Sequence, residues 1–78
     1  MDSQIQEALE LIEMLTEDQD CSKKVAEGLK GVANLLKGSE ELKIQKAIHA
    51  IEELDLQGIS SHLRNQIWEL ISFLESMA

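Results

Sequence analysis

Apolar residues recur along this chain at three- and four-residue spacing, interrupted by three short polar stretches, so the pattern predicts four amphipathic helices. The first runs from about Gln4 to Thr16, with Ile5, Ala8, Leu9, Ile12 and Leu15 on one face. Ser3, followed three residues later by Gln6, reads as a capping box at its start. A polar loop, Asp18 to Asp20, follows. The second helix spans about Ser22 to Lys37, with Val25, Leu29, Val32, Ala33 and Leu36 inward. Gly38 stands where a left-handed C-terminal cap is expected, and Lys37 suits the negative end of the helix dipole. The third helix is expected to start almost at once, with Ser39 as N-cap and Glu40 and Glu41 in its first turn. Its face is Ile44, Ala47, Ile48, Ile51 and Leu54, and Gly58 is a plausible left-handed residue in the turn after it. Ser60 or Ser61 caps the fourth helix. There Leu63, Ile67, Leu70, Leu74 and Met77 fall within about 40° of one direction, with Ile71 at the edge of that stripe.

These faces repeat. The stripe of helix one recurs in helix three shifted by 39 residues (44 − 5, 54 − 15), and that of helix two recurs in helix four shifted by 38 (63 − 25, 74 − 36). The repeat predicts two αα-hairpins, residues 3–37 and 39–77, joined by a tight Lys37-Gly38-Ser39 connection. Each hairpin alone would leave its apolar face in water. Packed together they make an all-α, four-helix up-and-down bundle. A fragment of an α-solenoid is the alternative, although about three such units are normally needed for stability.

Length and composition narrow the functional classes. Seventy-eight residues make one domain that buries only about 60–65% of its unfolded surface. The net charge of −8 argues against nucleic acid as the main partner and equally against an anionic membrane surface. No apolar run approaches a membrane span, and no signal-peptide pattern stands at the start. A lone cysteine, Cys21, cannot form an internal disulfide, so a reducing cytoplasm is the expected location.

Candidate chemistry is sparse. Neither His49 nor His62 completes the inward Glu-x-x-His pair of di-metal bundles. Asp18-x-Asp20-x-Ser22 begins like a calcium loop, but Lys23 stands where Gly is needed and Leu29 where the bidentate Glu belongs. No metal or other cofactor is therefore expected. Cys21 lies near a helix start, where a thiolate would be stabilised, yet its repeat equivalent is Ile59, which points to an apolar plug in the turn. Gly28-Leu29-Lys30-Gly31 lies inside a helical pattern and is not a phosphate loop. No catalytic set remains, and an enzyme is not expected.

Charge and one aromatic residue say more. Residues 1–22 hold seven acids and no base, whereas helix two carries Lys23, Lys30 and Lys37 on one stripe. This reads as complementarity within the first hairpin or, more sharply, as a basic strip for an acidic or nucleic-acid partner. Trp68, the only Trp, lies about 140° from the centre of its helix face, at the repeat position of Lys30. It either lids the bundle, as most aromatic residues serve packing, or marks an interface. Gly28 and Gly31 lie together on helix two and suggest close approach of another helix. Phe73 matches Leu35 in the repeat and is expected at the flank.

The stretch Ser61-His62-Leu63-Arg64-Asn65-Gln66-Ile67-Trp68, with Ser72, Leu74 and Glu75, resembles the C-terminal signature of a small archaeal protein family that has no assigned activity. That signature reads roughly H-x-R-x-x-I-W, then S-x-L-E. Weaker similarity extends back to helix one. The family tends to place Pro at the starts of its second and fourth helices, and this chain has none. The resemblance implies a compact four-helix domain and an archaeal source, and transfers no functional residue. Two functions follow as expectations. One is a non-enzymatic protein-interaction domain, which can be a homodimer, with Trp68, Arg64, Phe73, Gly28 and Gly31 as candidate interface residues. The alternative is a nucleic-acid or ribosome-associated accessory protein that uses Lys23, Lys30, Lys37 and Arg64.

Overall fold

The computed structural model describes residues 3–78, which fold into α1 (Ser3–Glu17), α2 (Lys23–Lys37), α3 (Lys43–Glu52) and α4 (Ser61–Glu75). Asp2, the first acid of the N-terminal run, lies outside the described residues. Contacts join α1 to α2, α2 to α3, α3 to α4 and α4 back to α1, and none joins the diagonal pairs. The helices therefore form a closed square around one core. The α1–α4 contact closes it and separates this bundle from an open solenoid.

Burial follows the repeat. Ala8 and Ala47, Ile12 and Ile51, Val25 and Leu63, Leu29 and Ile67, Val32 and Leu70, and Leu36 and Leu74 are buried at matched positions. Ile5 and Ile44, Leu9 and Ile48, and Ala33 and Ile71 are half-buried at matched positions. Only Leu15, buried, and Leu54, half-buried, differ. The two hairpins thus share one burial pattern.

The two hairpin turns use the same devices, though their aspartates are not repeat equivalents. In the first, the Asp18 carboxylate accepts the Asp20 N–H at 2.8 Å, and Ser22 Oγ accepts the Val25 N–H at 3.2 Å. In the second, the Asp55 carboxylate accepts the Gln57 N–H at 3.0 Å, and Ser60 Oγ accepts the Leu63 N–H at 3.1 Å. Each turn therefore contains an aspartate that folds its own backbone and closes on a serine that satisfies a free helix N–H. Of the two serines considered for the fourth helix, Ser60 is the cap. The second turn is one residue longer between aspartate and serine, and there Gly58 takes the left-handed conformation, with φ of 85°. Replacing Ser22 or Ser60 by alanine is expected to cost about 1 kcal/mol each, read from urea unfolding midpoints.

Three expectations are corrected. Ser3 is already helical at the first described position, so it lies within α1 rather than capping it. Gly38 is extended, with φ of −74° and ψ of 175°, rather than left-handed. Ser39 does not cap α3, which starts only at Lys43 behind Leu42 with no side-chain cap. The reason lies in the local turn. Gly38 leaves α2 extended, and the backbone of residues 39–42 is taken up in a turn rather than in a first helical turn, so Ser39 has no helix N–H to cap. In that turn the Lys43 N–H bonds the Glu40 carbonyl. The Lys43 ammonium reaches back to the Gly38 carbonyl at 3.0 Å, and Glu40, displaced from the helix, pairs with Lys46.

The two glycines of α2 also separate. At Gly28 a Cβ would run into the end of the Leu54 side chain, so the close approach comes from the residue that leaves α3. Gly31 has nothing within 4 Å of its would-be Cβ and is exposed, so no helix approaches it. Gly31→Ala is accordingly expected to stabilise the domain by about 1 kcal/mol. Gly28→Ala should gain less, because Leu54 must move. Urea midpoints of the two variants give the comparison.

Candidate protein-docking surface

Between adjacent helices the square leaves four furrows, related in pairs by the repeat. The α1/α2 furrow, about 460 Å³, is lined by Gln6, Leu9, Ile12, Glu13, Thr16, Lys30, Ala33 and Lys37. The α3/α4 furrow, about 310 Å³, is lined by Ile51, Glu52, Leu56, Trp68, Ile71, Ser72 and Glu75. Five pairs of these residues are repeat equivalents: Ile12 and Ile51, Glu13 and Glu52, Lys30 and Trp68, Ala33 and Ile71, Lys37 and Glu75. The scaffold is the same and the side chains have diverged. Where one furrow carries lysine, the other carries tryptophan and an acid.

The second pair of furrows shows the same relation. On the α2/α3 side lie Leu35, Leu42, Lys46, His49, Ala50 and Glu53, and on the α1/α4 side lie Phe73, Glu7, Glu10, Leu11 and Met14. Leu35 matches Phe73, and Lys46, His49, Ala50 and Glu53 match Glu7, Glu10, Leu11 and Met14 in turn. One side therefore holds Lys46 and His49 where the other holds two glutamates.

Trp68 is 61% exposed. It lines the α3/α4 furrow from the α4 side with most of its surface in solvent. The floor beneath it is Ile51, buried, with half-buried Leu56 and Ile71. Arg64, exposed, precedes Trp68 by one helical turn. Phe73 is half-buried and packs against the core at the flank, on the α1/α4 side. The candidate interface residues are thus not brought together. Trp68 and Arg64 share one side of α4, Phe73 faces another furrow, and Gly28 and Gly31 sit on α2.

Other apolar residues join the surface. Met14 is 63% exposed, Leu42 56% and Leu11 38%. Leu11 and Met14 lie off the inward stripe of α1, the same signal that singles out Trp68 in the sequence. Leu42 lies in the α2–α3 connection, where no periodicity exists to flag it.

Lys23, Lys30 and Lys37 are exposed, and among the described residues none forms an ion pair with an acid of α1. Attraction between the two helices of the first hairpin therefore acts only at longer range, where salt screens it. His49 Nε2 lies 3.5 Å from Glu53, both exposed. Among the described residues no three His, Cys, Asp or Glu side chains gather closely enough to hold a metal ion, and no helix is long and apolar enough to cross a membrane. Cys21 is half-buried against the core, with Sγ 3.7 Å from the Ser22 carbonyl. Burial pushes its thiol pKa up, and the Asp18 carboxylate adds to the shift. The thiolate is therefore scarcer than in an ordinary cysteine at neutral pH. Alkylation of native Cys21 by iodoacetamide is expected to be slower than that of the urea-unfolded chain, with the gap narrowing as pH rises. Equal rates at neutral pH would remove this account of the turn.

A family model matches residues 1–77, and the family is one described as uncharacterised. No curated protein and no solved structure matches.

Proposed function

The chain belongs to the uncharacterised protein family UPF0147, and from that footing we propose that it is a non-enzymatic protein-interaction domain that docks its partner along the α3/α4 furrow beside Trp68. One observation carries this reading. A tryptophan, 61% exposed, stands over an apolar floor at the position where the other hairpin has a lysine. Exposing a large aromatic side chain costs solubility, and tryptophan is enriched at the energetic centres of protein interfaces. The same proposal places the protein in the cytoplasm of an archaeon, as its resemblance and its lone cysteine suggest.

The test uses the repeat as its own control. A photo-reactive residue is placed at Ser72, which lines the furrow, and separately at Asn34, its exposed equivalent in the first hairpin. Irradiation in source cells is expected to give one discrete adduct at Ser72, none at Asn34, and none at Ser72 once Trp68 is alanine. Adducts of equal yield at both positions would remove the reading. An adduct of twice the chain mass would identify the partner as a second copy.

The nucleic-acid alternative is favoured by the exposure of Lys23, Lys30, Lys37 and Arg64. It requires RNA retention at low salt that is lost when the lysines are replaced. The net charge of −8 weighs against it.

A further inference from the structure

Resting on the docking reading above, we infer that the α3/α4 furrow takes a cationic amphipathic helix rather than the matching furrow of a second copy of this chain. A furrow between two antiparallel helices, apolar along its floor, is the shape in which a third helix lays its apolar face. The charge of the rim selects among such helices. Glu52 and Glu75 line it, and no base does. The nearest cation on α4 is Arg64, one turn before Trp68 and outside the lining.

The first hairpin supplies the contrast. Its furrow has the same scaffold, but Lys30 and Lys37 replace Trp68 and Glu75, leaving Glu13 as its only acid. Two furrows of one architecture thus carry opposite charge, and only the acidic one carries the aromatic anchor. A lysine- or arginine-flanked apolar helix gains charge complementarity in the α3/α4 furrow and loses it in the α1/α2 furrow. A twofold pairing of this furrow with that of a second copy fails on the same ground. A twofold contact through this furrow would set Glu52 and Glu75 against the like residues of the other chain, on molecules that each carry −8.

The test titrates the full chain with a designed helical peptide of roughly 18 residues. The peptide has leucines at i, i+3, i+4 and i+7, lysines on both flanks and no Trp, and a glutamate-flanked twin serves as the control. Trp68 is the only Trp of the protein, so its emission reports this furrow alone. At about 0.1 M salt the screening length is about 10 Å, so rim acids count and distant ones do not. The lysine peptide is expected to shift the emission blue and saturate, and the glutamate peptide to leave it unchanged. Glu52→Gln with Glu75→Gln should weaken the lysine peptide on the order of fivefold. Glu17→Gln with Glu41→Gln removes the same charge at exposed positions outside the furrow and should weaken it less than about twofold. Equal losses from the two double variants, or equal binding of the two peptides, would overturn the cationic inference and leave the docking reading standing. No binding by either peptide, with a Ser72 adduct still formed, likewise overturns the inference alone. No binding and no adduct would remove both.

Discussion

Replacing Ile67 by alanine is expected to cost about 2–5 kcal/mol of unfolding free energy. The side chain has no exposed surface and lies in the middle of the face that α4 turns to the core. Truncation removes its apolar contacts and leaves a cavity that four tightly connected helices can only partly close. A domain of this length holds roughly 4–12 kcal/mol in total at typical values per residue, so one substitution takes a large share. The repeat sharpens the expectation. Leu29 occupies the equivalent position on α2 and is also fully buried, so Leu29→Ala should cost the same to within about 1 kcal/mol. Urea unfolding followed by far-UV circular dichroism gives both values. A loss below about 1 kcal/mol at either site would mean that the core is not centred where the buried faces meet.

Trp68→Ala is expected to do the opposite: leave the fold in place and remove docking. Because the side chain is mostly exposed, its truncation should change stability by no more than about 1 kcal/mol. An aromatic anchor at the centre of an interface commonly contributes about 2 kcal/mol or more, so affinity for the lysine-flanked peptide should fall at least roughly tenfold. Titration calorimetry makes this measurement without the lost fluorophore. The separation of the two effects is the point. A variant that unfolds would put Trp68 in the fold, and one that binds unchanged would put the partner elsewhere.

Much of the architecture is legible in the residues. The four inward stripes, a serine cap on the fourth helix and left-handed Gly58 follow from local chemistry, because each depends on neighbours a few positions away in the chain. The Ser22 cap has the same chemistry, but the sequence pattern places Ser22 as the first residue of its helix. The repeat also foretold that Cys21 and Ile59 would fill equivalent turns, and both lie against the core. Reading fails where the answer is set across space. Ser39-Glu40-Glu41 has the local chemistry of a helix start, yet α3 begins at Lys43, because those residues are spent in a turn tied to the Gly38 and Glu40 carbonyls. Gly28 and Gly31 look alike in sequence, and only the path of Leu54 distinguishes them. For Trp68 the helical angle gives a direction but no neighbour, so a lid and an exposed anchor are the same pattern until the bundle is closed. The candidate surface was half legible for that reason. Trp68 is off-stripe in the sequence, whereas its floor residue Leu56 lies in a turn and its rim acid Glu52 looks like any solvated glutamate.

If Trp68 is a free anchor on the folded monomer, its emission maximum, followed on dilution of the purified protein, lies near that of tryptophan in water, stays unchanged over the dilution and moves blue only on adding a docking helix. A blue maximum that holds at every concentration would contradict a free anchor, because Trp68 would then belong to the core of the fold.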